Sequence, residues 1–340
     1  MPYSDLNDNK IKHSIDLKQT YDGYLEARMR LDHYKGGMMW KKSGGKEYLV
    51  KVTNSRGGNK SLGVRSAETE QMYDDFHNGK DRAKERLSSL KEQLKEQSSI
   101  VRAINAGRVP KTTISILSKL NQEGLIGKNL IVIGTNAIYA YEAVAGVSFE
   151  SKLMETRDID FLWDSRTNLK ICSSEDDKTV MSIIQKADKT FERTKLPFQA
   201  ANKSGFMVDL VRVDEDLLSE PPSLGDSKDE FEPVPIPNLK WLLSSPKFEA
   251  TVIGVDGTPA KIVAPDPRAF ALHKIWLSEQ PDRDPAKKNR DRGQALAVIQ
   301  LVQDKFPFLK MDENFKKIFP KRVFKMKRVS SVLDDWDDDF

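Results

Sequence analysis

Between residues 111 and 213 the apolar positions fall into short β-branched runs separated by stretches of helical period. The run LIVI at 130–133, closed by Gly134, is apolar at every position, the pattern of a central strand covered on both faces. A helix over 111–123 leads into it through EGLIGKN, and a helix from Asn136 to Ala145 leaves it. ETRDIDFLWD at 155–164 then predicts a strand from Arg157 to Trp163. A helix around 178–193 and a strand pair over PFQAANKSGFMVDLVRV follow. Helices and strands mix around one sheet, which is an α+β pattern.

The flanking segments read differently. Residues 14–35 are helical in pattern, and MMWKKSGGKEYLVKVT forms a hairpin that turns at Ser43, Gly44 and Gly45. Ser66 caps a helix whose first turn carries Glu68 and Glu70; it runs, interrupted near Gly79, to about residue 105. Its KDRAKERLSSLKEQLKEQ stretch alternates charge at helical spacing, as a solvated face or a short coiled-coil arm does. Beyond the core, SEPPSLGDSKDEFEPVPIPN is a linker or long surface loop. A hairpin over 250–255 and 260–263 and two helices, 266–278 and 287–306, come after it. These breaks divide the chain into an N-terminal helix-and-hairpin extension (1–110), a core (111–220), a C-terminal hairpin and helical domain (221–330) and an acidic tail (331–340).

The chain has 340 residues, of which 38% are hydrophobic, enough for a real core in two domains or in one domain with sizeable additions. With 55 Lys+Arg against 51 Asp+Glu, the net charge of +4 neither demands nor excludes a nucleic-acid partner. Basic residues cluster at Lys287–Arg292 and Lys316–Arg328, and the chain ends in DDWDDDF, a solvating tail or a cover for a basic groove. A single cysteine, Cys172, excludes an internal disulfide or a thiolate metal cluster and fits a reducing cytoplasm. No window approaches the ~20 apolar residues of a membrane span, and the N-terminus lacks a signal-peptide core. The expectation is a cytoplasmic protein without membrane contact.

The candidate chemistry lies in the strand at 157–163. Side chains alternate along a strand, so Asp158 and Asp160 share one face, with Cα atoms about 7 Å apart, while Ile159 and Phe161 take the other. Like charges that close are costly without a cation between them. Asp209, in FMVDLVRV, has the same apolar flanks. If its strand lies beside the first, three carboxylates converge and can hold two Mg2+ ions, Mn2+ being possible, of the kind that clamp a phosphoryl or nucleotidyl displacement. Upstream, Gly134 allows close backbone approach, and the Thr135 hydroxyl with the first helical amides can receive a phosphate.

Strand-Gly-Thr-helix, then Asp-x-Asp, then a lone Asp between apolar residues resembles the polymerase-β-like nucleotidyltransferase superfamily. GGMMWKKSGGKEYLVK, SLGVRSAETE, IGTNAIYAYEAVAG, TRDIDFLWD, APDPRAFALHKIWLS and KKNRDRGQA are similar to one bacterial nucleotidyltransferase-fold family within it, over most of residues 20–305. The resemblance implies a mixed sheet with flanking helices. It implies Asp158, Asp160 and Asp209 as catalytic metal ligands, and Gly134, Thr135 and Asn136 as the triphosphate turn. It further implies Mg2+-dependent transfer of a nucleoside monophosphate from an NTP such as ATP to a hydroxyl of tRNA or other RNA, a protein or a small molecule. The alternative is a catalytically silent nucleotide-binding module on the same fold. Thr135 departs from the commoner Ser or Gly, and the interval from Gly134 to Asp158 is longer than in compact members.

Lys274 is the first choice for a cation reaching the triphosphate, with Lys288 near it at the start of the following helix. Arg290 and Asp291 contact the nucleotide or form a salt bridge with each other. Arg65 reaches phosphate if the N-terminal region folds over the cleft, and is otherwise an exposed capping neighbour. His273 reads as a packed core histidine, and His13, His33 and His77 have no ligand spacing. Trp40, Tyr48, Lys41, Lys42 and Lys51 form either a packed hairpin with a wet basic side or a surface that stacks a base. RGGNKS lacks the Gly-Lys-Ser order of a phosphate loop.

Overall fold

The computed structural model describes residues 1–52, 58–166, 179–214, 230–326 and 329. Cys172, most of the acid-rich linker and the acidic tail lie outside them. The chain opens with β1 (Tyr3–Asp5) and α1 (Asp8–Asp32). The Asn7 side chain caps α1 on Lys10 N, so the helix starts six residues earlier than its apolar pattern suggested. A three-stranded antiparallel sheet follows, β2 (Gly37–Ser43), β3 (Lys46–Val52) and β4 (Asn59–Val64), in the order β2-β3-β4. Gly44 and Gly45, at φ +57° and +76°, make the turn between β2 and β3.

The chain returns as α2 (Ala67–Ala103), capped by a Ser66–Thr69 box. Against expectation, α2 is unbroken at Gly79. That residue is buried where the Tyr34 ring lies on the helix, and a Cβ would collide with the ring. The helix keeps its period there because the glycine serves a close contact rather than a break. With Gly23 against Leu90, α1 and α2 form an antiparallel arm carrying the small sheet at one end.

The core begins with α3 (Lys111–Gln122) and β5 (Leu130–Ile133), a 3-10 turn at Thr135–Ala137, and α4 (Ile138–Ala145). Next come β6 (Val147–Phe149), α5 (Ser151–Met154), β7 (Asp158–Trp163) and α6 (Val180–Ala187). The expected helix to residue 193 stops at Ala187, where Asp188 accepts from Thr190 N and turns the chain into β8 (Glu192–Arg193). After β9 (Gln199–Ala201), β10 (Met207–Val213) and β11 (Val234–Ile236), the chain forms α7 (Lys240–Ser244) and a hairpin of β12 (Lys247–Ile253) and β13 (Pro259–Pro265). Two long helices, α8 (Pro267–Ser278) and α9 (Pro285–Lys305), each open on an aspartate cap followed by proline.

The main sheet is mixed, in the order β5-β7-β10-β9-β8, with β11 beside the second half of β10. β5 runs antiparallel to β7, and β7 runs parallel to β10. One hydrophobic core spans Val109 to Val329 and takes in Tyr3, which β1 brings against Phe149 through its pairing with β6. The β12–β13 hairpin packs beside β5, so described residues on both sides of 215–229 share that core. Among the described residues no helix is long and apolar enough to cross a membrane.

Phe161 is fully buried at the centre of β7, on the face opposite Asp158 and Asp160. Phe161→Ala should cost about 3–5 kcal/mol of stability, read as a lower denaturant midpoint.

Candidate active site

The alternation expected of β7 holds: Ile159 and Phe161 are buried while Asp158 and Asp160 are half-buried on the other face. β10 pairs with β7 so that Asp209 stands directly opposite Asp160, and Met207 opposite Asp158. Neighbouring strands lie about 4.8 Å apart, so the third carboxylate comes to rest beside the pair. On the other side of β7, Ile133 is the partner of Asp160, and β5 therefore ends at the carboxylates.

Gly134 makes that ending possible. Its φ of +66° and ψ of −158° fall where only glycine is at ease, and a Cβ there would sit 2.2 Å from Asp160 Oδ2. The turn it opens is tied down from two sides. Asn136 Nδ2 donates to the Asp158 carbonyl at 2.7 Å, and Gln294 Nε2, from α9, donates to Thr135 Oγ1 at 3.1 Å and to the Leu153 carbonyl at 2.7 Å. Asn136 is thus a brace between turn and β7. Thr135 and Gly134 line the cleft, and the amides of Thr135 and Asn136 precede any intrahelical acceptor.

The cleft holds about 710 Å³ and is bounded by Gly134, Thr135, the three aspartates and the α8–α9 corner. Lys274, on α8, is buried. Its Nζ donates to Asp291 Oδ1 at 2.6 Å, and Arg283 reaches the same carboxylate at 2.8 Å. Asp291 therefore pairs with Lys274 and Arg283. Arg290 instead donates to the Glu155 carbonyl at 3.1 Å, and its buried Nε has no partner among the described residues. Lys287 and Arg290 line the cleft, whereas Lys288, one position round the helix, does not. Arg65 is also outside it: it lies at the arm's sheet, bonded to Glu47 and Glu70 at 2.7 Å each. His273 is packed beside Trp241 and Trp276, and burial pushes its pKa down to about 3.

Sequence reasoning missed Gln199, Thr156, Arg283, Lys287 and Gln294. The buried positions Asp291, Gln294, Ala295 and Val298 give the phase of α9, and stepping back four residues from Asp291 reaches Lys287. No local pattern marks Gln199 or Thr156.

A second cavity, of about 280 Å³, lies between α1, α4 and β12. It is mostly apolar with one ion pair, Arg108–Glu142 at 3.3 Å, and holds none of the three aspartates.

The electrostatics follow from the crowding. Burial, and then the charges of Asp158 and Asp209, push Asp160 up to about 7, against the pull of Lys274 and Lys287. Asp209 is raised by burial and held back by Gln199 Nε2, which donates to its Oδ1 at 2.9 Å. The Thr156 hydroxyl donates to Asp158 Oδ1. Burial lowers Lys274, and Asp291 opposes the fall.

Three carboxylates are the hard oxygen donors that Mg2+ and Mn2+ take. Asp160 has no hydrogen-bond donor among the described residues, and only the charges of Lys274 and Lys287 offset the other two carboxylates. Among those residues no three His, Cys, Asp or Glu side chains already have the closeness of a metal cage. One oxygen each of Asp158 and Asp209 is turned to Thr156 and Gln199, as repulsion between unscreened like charges favours. The donor set fits a divalent cation.

A mixed sheet that carries an Asp-x-Asp pair, a third aspartate on the parallel neighbour and a glycine turn at their side forms a nucleotidyltransferase-fold core. Residues 111–319 match the family model described as nucleotidyltransferase, and the chain belongs to that family. No curated protein and no solved structure matches the chain.

Gly134→Ala should cost about 1–3 kcal/mol from backbone strain alone and displace the Asp160 carboxylate, read as a lower midpoint in denaturant melts. Asp160 gives a second test. Its folded pKa is raised from 3.8 to about 7, so its contribution to stability is fullest below 3.8 and is lost as pH rises through 7. Chelator-treated Asp160→Asn should be more stable than the parent near about pH 8, and the gain should vanish towards about pH 4 in urea melts.

Proposed function

We propose that this chain is a Mg2+-dependent nucleotidyltransferase that moves a nucleoside monophosphate from an NTP to an acceptor hydroxyl and releases pyrophosphate. The observation that carries the reading is the in-register pairing of Asp209 with Asp160 beside Asp158, at a glycine turn that lies directly against the Asp160 carboxylate and lines the cleft. Family membership supports transfer chemistry in general. The quoted motifs support the bacterial branch of the superfamily, and the lone cysteine fits the cytoplasm.

Asp158, Asp160 and Asp209 would hold two divalent ions, Mg2+ or Mn2+. When bound, these supply Lewis-acid neutralisation of the phosphates and lower the acceptor pKa. The chain's own groups do the rest. The Thr135 and Asn136 amides and the Thr135 hydroxyl bind phosphate oxygens. Lys287 and Arg290 balance its charge from the opposite wall. Lys274, fixed by Asp291, adds a positive field from a buried position. Asp209 Oδ1 is occupied by Gln199, which leaves Oδ2 to take the acceptor proton. The acceptor oxygen bonds to the α-phosphorus as the bond to the bridging oxygen breaks, and that oxygen leaves with pyrophosphate.

Asp158→Ala should lower transfer by about 10³-fold or more, since the ligand's share of transition-state stabilisation is several kcal/mol, while circular dichroism stays unchanged. The assay follows label from an α-phosphate-labelled NTP, with Mg2+ and a total cell extract, into RNA, protein or small molecules. Undiminished transfer by the variant would overturn the assignment. NTP binding by calorimetry without Mg2+, and without pyrophosphate release, would favour a silent binding module.

A further inference from the structure

The wall that faces the carboxylates is carried by α9. Lys287, Arg290, Asp291 and Gln294 recur along that helix at the spacing of one stripe. Lys287 and Arg290 line the cleft, Asp291 holds Lys274 and Arg283, and Gln294 reaches the glycine turn. Gly293 brings the helix in close, since a Cβ there would lie 3.2 Å from Leu153 Cδ2. At that approach Gln294 Nε2 donates to the Leu153 carbonyl at 2.7 Å, and Arg290 donates to the Glu155 carbonyl at 3.1 Å. These contacts seat α9 on the segment that leads into Asp158 without help from Thr135.

Gln294 is fully buried, and its polar atoms are unequally served. Both Nε2 hydrogens are used, one on the Leu153 carbonyl and one on Thr135 Oγ1 at 3.1 Å. Its Oε1 is buried and has no donor among the described residues. For packing alone such an amide is a poor choice, because an unsatisfied buried acceptor is costly and an apolar side chain of similar size carries none. What the amide adds is donation. The consequence falls on Thr135, whose oxygen accepts from Gln294 while its own proton has no acceptor among the described residues. Thr135 is only 4% exposed, yet it lines the cleft with Gly134 and Asp160. A hydroxyl that accepts on one side turns its proton to another, and the space open to it is the cleft.

We propose that Gln294 is a positioning residue for the triphosphate: by donating to Thr135 Oγ1 it fixes the Thr135 hydroxyl as a hydrogen-bond donor to a phosphate oxygen. The role rests on the transferase reading of the cleft. A hydroxyl left to rotate would lose that freedom at each binding event, and one held beforehand does not. The polarity of the bond matters as well. A group at position 294 that only accepts would draw the Thr135 proton away from the phosphates.

The test is calorimetry of inorganic tripolyphosphate with Mg2+ on the full chain, a probe that engages the turn whatever base the NTP carries. Gln294→Met keeps the side chain's size, removes its donors and should weaken binding about tenfold. Thr135→Val removes the hydroxyl, keeps the shape and should do the same. The double variant should lose about tenfold and not about a hundredfold, because both changes remove one interaction. Thr135→Ser restores a hydroxyl, and on that background Gln294→Met should again lose about tenfold. A packing role alone gives equal losses on the Thr135→Val and Thr135→Ser backgrounds. Equal losses, or parent-like binding by Gln294→Met, overturn the positioning role. If Gln294→Met does not fold by circular dichroism, Gln294→Glu replaces it: its loss must be smaller on Thr135→Val than on Thr135→Ser, and an equal loss overturns the role. Label transfer separates this role from the transferase reading. If positions 294 and 135 are coupled while Asp158→Ala still transfers label, the transferase falls and the positioning role stands. If the parent binds no tripolyphosphate, the positioning role falls, and transfer that depends on Asp158 then leaves the transferase standing.

Discussion

Everything in the cleft depends on the parallel pairing of β7 with β10. That register puts Asp209 opposite Asp160, and a slip of one residue would move the third carboxylate to the core face. The register is held from behind: Ile159, Phe161, Val208 and Leu210 are buried on the opposite face, and exposing them would cost far more than separating the carboxylates recovers. Hydrophobic packing thus forces together three acids that repel one another. Gly134 completes the arrangement, since any side chain at that turn would occupy the space of the Asp160 carboxylate.

The opposing wall shows a similar balance of burial and charge. Asp291 is fully buried and accepts from Lys274 and Arg283, so α8, α9 and the loop between them are locked together at the cleft edge. Removing one member of such a cluster leaves a buried charge without its partner, which is costlier than the cluster's net contribution. The fixed pairs hold the corner in place, while Lys287 and Arg290 are the cations presented from it. Gln294 then links this helical corner to the glycine turn through Thr135.

The arm is built on different terms. Its helices bury a thin seam, with Leu17, Val101 and Ala106 forming a small cluster apart from the main core. Trp40, Tyr73 and Arg65 supply the packing that holds the sheet on α2.

The sequence by itself determined what is local. Alternation around Ile159 and Phe161 put Asp158 and Asp160 on one face, the apolar run before Gly134 marked a central strand, and the flanks of Asp209 marked its strand. The Ser66 cap and the Gly44–Gly45 turn were equally legible, because each depends on backbone preferences within a few residues. Only the tertiary structure decided which strands are neighbours, that Lys287 rather than Lys288 lines the cleft, that Lys274 is paired with Asp291, and that Arg65 belongs to the arm. Gly79 misled for the same reason: its contact, Tyr34, is far away in sequence. Periodicity specifies which face of an element is buried. It does not specify what that face meets, and the partners of Asp160, Lys274 and Arg65 are set by long-range packing.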